Sequence, residues 1–539
     1  MLGKRFFFIT IVLILIKLPV YSNTINVPDD YSKIQDAINA ANAGDIVKVS
    51  YGEYDECITM KDGVDLIGIE DKERGKPLIR CPKASNVTLL AADNCKIEGL
   101  YLTKKLPDSE VILCNSVSPE IKNCLITGGT EGVDCTWSAA PEIRFNVITG
   151  NLVVGVGCYN GSHPLIFKNF ISNSDAGISC IHNSYPNITQ NIITKSKIAS
   201  IYCINECSPY VDHNDLFCQF DGFYCMGKSN PKISFNRIFS CTETGVFYCA
   251  LKSPDINNNN IFDCYLSGMI FHGLASPRVF NNSIVDCVEA GISFFNESNS
   301  EIMNNIIFNS RWGILIDESI KAKNAYIAYN DLWQISDYKY FVNGIGPFNP
   351  TPGKGEMSKH PRFNYTEKCD FRLQPVSPCI DKGNPDSESN DPDDSRNDMG
   401  AYGGPDSGWV GSDYFMDIGS YHKSPKDEDF FKTDSFIPGS NIDLKMQFQN
   451  RNEITVDLYI YLVTSIGKFY YPNWTTDPIP IHLTIPGGLI EIFQFLNIQV
   501  PEDQPPGKFA LRWYSINTDM QELVFPEMEY EFKIAPKPL

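Results

Sequence analysis

The chain has 539 residues, 43% of them hydrophobic, with 38 glycines, 34 prolines and a formal net charge of −20. The length predicts about two or three domains. The acidic balance excludes nucleic acid and anionic membranes as electrostatic partners, and argues against an acidic polysaccharide held by charge alone.

Residues 1–22 combine Lys4 and Arg5 with an apolar core and then Val20-Tyr21-Ser22. This reads as a secretory signal cleaved near Ser22, which predicts an exported protein. The apolar run, broken by Lys17, is short for a membrane anchor, and no later stretch is long enough for an integral span.

Residues 23–110 read as an N-terminal cap with the first coils of a solenoid. Ile34, Ala37, Ile38 and Ala41 mark one face of a helix over 33–42, with Ser32 and Gln35 spaced as a capping box and Gly44 as its end. Residues 45–50 then read as a strand.

Residues 111–405 carry the repeat. Asn146, Asn169, Asn191, Asn214, Asn236, Asn259, Asn282 and Asn305 recur at steps of 22 or 23 residues. Each repeat holds three short apolar segments, exemplified by Ile143, Ile148 and Val156. Segments so short suit strands separated by bends, not helices. The fold class is therefore all-β: a right-handed parallel β-helix with three short strands per coil and an N-terminal helical cap. Stacked Asn in one bend can bond its own turn and the next amide, and Asn tolerates left-handed backbone. A Gly row (Gly132, Gly155, Gly177, Gly222 and onward) opens the third strand, where a sharp turn asks for freedom in φ. The end of this region, through an acidic loop at 386–398, is expected to close the far end of the coils.

Cys114, Cys135, Cys158, Cys180, Cys203 and Cys225 share one inward row, and Cys218, Cys241, Cys264 and Cys287 another. Cysteines stacked one coil apart have parallel Cα–Cβ vectors, poor for bridging, so they read as buried thiols. Cys369 and Cys379 lie outside both rows and are the best disulfide pair. Residues 410–539 alternate in period two between Pro-rich connections and read as a C-terminal antiparallel β-sandwich of the immunoglobulin or fibronectin kind.

The opening VPDDYSKIQDAINAANAGDIVKV, the coil pattern and the closing SPCIDKGNP and DMGAYGG segments resemble exported right-handed β-helix repeat proteins. These belong to the pectate-lyase-like superfamily; a similarity to the periplasmic copper-protein-maturation β-helix family is also present. The resemblance implies architecture more than activity. The catalytic motifs of pectin methylesterases and alginate epimerases are absent from the sequence. No Arg is expected in a strand row beside clustered aspartates.

Three functions fit. The first is an exported protein that binds carbohydrate or a cell-surface partner without catalysis. Its ligand would lie on the outward row of the third strand, with Asp134, Tyr202, Tyr224 and Phe247 as contacts, since aromatic rings stack on sugar CH faces. The second is a polysaccharide lyase or glycoside hydrolase in the same groove, with Asp221, Glu243 and Glu289 as carboxylates and Lys228 and Lys252 as bases. The third is a metal-handling factor using Met226, Cys249 and His272 as soft ligands, a set suited to copper. The sequence assigns no certain cofactor, but Asp386, Asp391, Asp393 and Asp398 supply hard oxygen ligands for calcium.

Overall fold

The computed structural model describes residues 22–407, apart from 72–73, 85, 105, 274, 296–299, 318–324 and 367–368, together with the strand backbones between 414 and 534. Residues 1–21, nearly all of the expected signal segment, and the side chains beyond residue 407 lie outside the described residues.

A short helix, Ile34–Ala40, buries Ile34, Ala37 and Ile38 over the first coil. The expected Ser32–Gln35 capping box does not form. Glu56, about one coil further on, takes its place: its two carboxylate oxygens accept the amide hydrogens of Ile34 at 2.9 Å and Gln35 at 3.0 Å. A carboxylate there satisfies two amides that the helix leaves free.

Beyond the cap the chain winds as a parallel β-helix. The first strand of every coil joins one 14-stranded parallel sheet, from Thr24–Val27 to Tyr326–Ala328. The second and third strands stack likewise, and every coil-to-coil pairing among them is parallel; most are in unbroken register, as in Ile148↔Ile171 and Cys158↔Cys180, and a bulge shifts it in the last coils, between Cys287 and Ala290 and between Ser310 and Trp312. In the last coils the two merge into single bent strands, such as Ser283–Phe295. Register places Ile on Ile and Cys on Cys, so one continuous core fills the interior. Three strands per coil and an all-β solenoid are what the repeat predicts.

The Asn row is a buried hydrogen-bonded ladder. Each Asn Oδ1 accepts both the backbone amide and the side-chain amide of the Asn one coil earlier, as between Asn146 and Asn169 at 3.0 Å each. The ladder starts at the Cys124 amide, continues through a ninth member, Asn330, and ends where Glu356 accepts Asn330 Nδ2 at 2.9 Å. The step of 25 residues from Asn305 to Asn330 hides that last rung from a fixed-period search. The left-handed residue in this bend is not the Asn but its predecessor, including Phe145, Lys168 and Tyr329. Asn is therefore required for its amide, not for its backbone freedom.

The Gly row is also corrected. Gly155 is not among the positive-φ residues; a Cβ there would sit 2.5 Å from Ile171 Cγ2 and 2.6 Å from the Gly177 carbonyl. Close packing between coils, not turn geometry, demands glycine.

Both cysteine rows are buried and unbridged. The disulfide that forms is Cys57–Cys81, with a Cα–Cα distance of 4.5 Å and a separation of 24 residues. Cys57 precedes strand Ile58–Thr59, whereas Cys81 ends strand Leu78–Cys81, so the pair is not stacked in register and escapes the parallel-vector obstacle. Cys369 and Cys379 are free, and the Cys379 thiol lies 3.3 Å from Asp331 Oδ2.

The stretch 361–405 does not close the end of the coils. It runs back along the second-strand face, where Phe363, Phe371, Cys379 and Met399 pack on Phe239, Phe262, Val285 and Ile306 in a second core. Asn258, Asn281 and Asn304 bond its backbone from three successive coils. On this covered face Arg237 Nε reaches Asp215 Oδ1 at 2.6 Å, with both groups buried.

Beyond residue 410 the strands form sheets and pair antiparallel, apart from Ser435–Phe436, which runs parallel to Leu523–Ile534. Tyr414–Gly419, Asn441–Asn450 and Glu491–Gln499 make one; Ile454–Thr464, Gly507–Asn517 and Leu523–Ile534 are the centre of another.

Candidate functional site

The third strand presents outward rows that run along the solenoid axis. One row reads Asp134, Gly157, Ser179, Tyr202, Tyr224, Phe247 and Ile270 in unbroken register. Because the coils repeat, side chains that alternate along a strand become columns across strands. Tyr202 stacks on Tyr224 with ring centroids 5.2 Å apart, and Tyr224 on Phe247 at 4.9 Å, both within 7° of parallel. The column then shifts sideways to His272, 5.4 Å from Phe247, which stacks on Phe295 at 4.7 Å. These rings are half-buried; stacking covers both faces of Tyr224, so it is their edges that are left to solvent.

At the other end of the face is a carboxyl cluster. Glu131 opens the third strand of its coil, and its carbonyl accepts the Val111 amide at 2.9 Å, which sets Glu110 one coil below it. Glu131 Oε1 accepts the Tyr159 hydroxyl at 3.0 Å. Gly157 leaves the space these two groups occupy: a Cβ there would meet Glu131 Oε2 and Tyr159 Cε2, each at 2.5 Å. Glu131 Oε2 and Asp134 Oδ1 are buried with no hydrogen-bond partner. Burial, with Asp134 and Glu110 adding repulsion, pushes the Glu131 carboxyl up to about 8; burial and Glu110 push Asp134 up to about 7. Between cluster and rings the floor is small: Val154, Ala176 and Ala199 in one row, Gly157 and Ser179 in the next. Asp134 and Tyr202 are three coil steps apart, about 14 Å at ~4.8 Å per step.

Of the residues expected from sequence, Asp134, Tyr202, Tyr224 and Phe247 share this face. Asp221 lies in the same row as Glu131, four steps away or about 19 Å, too far for the two to act on one glycosidic bond. Asp221 Oδ1 accepts the Thr244 amide at 3.0 Å, and burial together with nearby Glu243 raises its carboxyl to about 7. Glu243 and Glu289 stand two coils apart with Leu266 between them. Lys228 is held by Glu206 at 3.1 Å on the turn after the third strand, and Lys252 is exposed on the equivalent turn of the next coil. That turn bounds a shallow cleft of about 560 Å³ lined by His182, Asn205, Lys228 and Cys249.

Met226, Cys249 and His272 do share one row on consecutive coils. They do not turn to a common point: the Met226 sulfur meets the Tyr224 hydroxyl at 2.9 Å, and the His272 ring is engaged by Phe247 and Phe295. The acidic loop spends its carboxylates on backbone amides. Asp391 accepts Asp398 N at 3.0 Å, Asp398 accepts Asp381 N at 2.7 Å, and Asp393 accepts Ser395 N at 3.0 Å. Asp386 accepts the Asn384 side-chain amide at 3.3 Å. Among the described residues no group of three or more His, Cys, Asp or Glu is placed to hold a metal ion.

Glu110, Glu131 and Tyr159 escape the sequence reading. Glu131 precedes the Gly of its coil, at a column position that is Val154, Ala176 and Ala199 in the coils that follow. Aligning the column one residue earlier and one coil further back exposes both glutamates.

The family model described as the right handed beta helix region matches residues 80–216 and 213–331. No curated protein matches the chain. Among solved structures, pectate lyase Pel9A is 12% identical, covering 71% of this chain and 97% of its own, with a TM-score of 0.38. The A-module of the Azotobacter vinelandii mannuronan C-5 epimerase AlgE4 is 15% identical over 62% of this chain and 94% of its own, with a TM-score of 0.31. Tailspike protein 3 of bacteriophage CBA120 is 8% identical over 61% of this chain and 59% of its own, with a TM-score of 0.35.

Proposed function

We propose that this right-handed β-helix protein is exported and binds a glycan along its third-strand face. The observation that carries the reading is the in-register stack of Tyr202, Tyr224 and Phe247, left half-exposed beside a small-residue floor. Sugar rings offer apolar CH faces to such rings, and their hydroxyls find acceptors at the carboxyl end of the same face. The signal-like segment at 1–22 supports export, and no helix among the described residues is long and apolar enough to cross a membrane. The region beyond residue 410 would serve as a module that spaces or presents the coils.

A polysaccharide panel tested by affinity electrophoresis checks this. At least one linear glycan is expected to bind, and Tyr224→Ala to weaken it about tenfold, the equivalent of ~1.4 kcal/mol. Absence of binding across neutral, acidic and amino-sugar polymers would refute it.

A second reading, hydrolysis of the bound chain, is favoured by one observation. Glu131 and Asp134 are held where a carboxyl keeps its proton near neutral pH, as a general acid must. New reducing ends that vanish in Glu131→Gln would support it; their absence in the wild type leaves binding alone.

A further inference from the structure

We infer that the turn after the third strand forms a second groove, separate from the third-strand face, which holds a neutral glycan chain along the solenoid axis with one sugar ring on Trp137. The inference rests on the glycan reading for the class of ligand and adds a site to it. Two clefts lie on this turn, of about 560 and 310 Å³, and His182 and Asn183 line both, so the clefts adjoin. Trp137 stands at one end and Gly273 at the other. Between them the register counts six coil steps, about 29 Å at ~4.8 Å per step.

Trp137 is a residue that packing does not explain. Its backbone is left-handed, with φ 54°, as it is at Asn160, His182 and Asn205 in the coils that follow. Asn and Gly take that conformation readily, whereas a bulky side chain takes it at a cost, and such costs gather at functional sites. The indole recovers nothing by burial, being 62% exposed, and no ring of the described residues stacks on it. A sugar needs an open aromatic face for its CH groups. Trp137 offers one, whereas Tyr224 already carries a ring on each side.

The rest of the groove suits hydroxyl groups. Asn183 and Asn205 are exposed, and each carboxamide presents both a donor and an acceptor. The charges cancel, because Lys228 pairs with Glu206 at 3.1 Å. A peptide finds less to hold. The amides of the turn are spent from coil to coil, Gly161 N on His182 O at 3.0 Å and Asn183 N on Asn205 O at 3.1 Å, and so offer no ladder to a new strand.

The test uses the full chain and isothermal titration with hexamers of β-1,4-glucose, β-1,4-mannose and β-1,4-xylose, and with a hexagalacturonate. In Tyr224→Ala, where the third-strand stack is broken, a neutral hexamer is expected still to bind, and more tightly than its dimer. Adding Trp137→Asn should weaken that hexamer at least about tenfold. Because Asn accepts the left-handed backbone, the melting temperature should stay the same or rise. A lower melting temperature would assign the ring to the fold and overturn the inference. Tighter binding of hexagalacturonate than of every neutral hexamer would also overturn it. If Tyr224→Ala alone abolishes binding, or Trp137→Asn changes nothing in that background, this inference falls and the glycan reading stands. If no hexamer binds the wild type, both fall.

Discussion

Glu131 shows how one residue can carry a cost that its neighbours explain. Its carboxyl is drawn from 4.5 up to about 8 because burial disfavours the charge and Asp134 and Glu110 repel it. A carboxyl raised in this way binds more protons folded than unfolded. Its favourable contribution is complete below about pH 4.5 and disappears as pH climbs through about 8. Stability is therefore expected to fall between about pH 5 and about pH 8, and Glu131→Gln to flatten that slope by on the order of 2 kcal/mol. Urea midpoints at several pH values check this; an unchanged slope in the variant would contradict the assignment. Asp134 was legible in the sequence because it stands in the aromatic row. Glu131 was not, because its neighbours in the column are apolar and only the folded register sets it beside Asp134 and Tyr159.

At the scale of elements, the Asn ladder ties coils together more tightly than strand pairing alone. Asn214 accepts from the Asn191 amide and side chain at 2.9 and 3.0 Å, and donates to Ile188 O, Asp212 O and Asn236 Oδ1. Replacing it by Ala strands the Asn191 amide donors and two buried carbonyls. The loss should be about 3 kcal/mol, measured by chemical denaturation, since each unsatisfied buried group costs about 1–3 kcal/mol. Substituting the left-handed residue Gln190 by Asn should cost almost nothing, because that position already accepts Phe, Lys, His and Asn in other coils. The period of the ladder was readable in the sequence. Its mechanism was not, since residue type alone cannot say whether a recurring Asn serves through its amide or its backbone. The Gly row misled in the same way: glycine has two uses, and the contact of Gly155 with the next coil selects the second.

For the whole molecule, the described cysteines separate by position in the winding. Only Cys57 and Cys81 bridge, closing a span of 24 residues in the first coils. Cross-linking a loop of that size is worth about 3 kcal/mol in the chain-entropy model. Cys57→Ser/Cys81→Ser is thus expected to loosen the N-terminal coils first, seen as faster amide exchange there with little change near Asn282. That locality follows from a solenoid in which each coil touches only its neighbours. Uniform loss of protection would refute it. Thiol labelling of the folded chain should reach the half-buried Cys249 ahead of the buried rows, and Cys369 later, because burial pushes its thiol up to about 12.

The linear sequence by itself determined the solenoid, its coil length and its inward rows, because the spacing of apolar, Asn and Cys residues repeats and periodicity needs no folding to be read. Tertiary structure alone decided the Cys57–Cys81 bridge, the return of residues 361–405 along the second-strand face, and the meeting of Glu110, Glu131, Asp134 and Tyr159. Those depend on contacts between residues that share no period, and only the register of one coil upon the next brings them within reach.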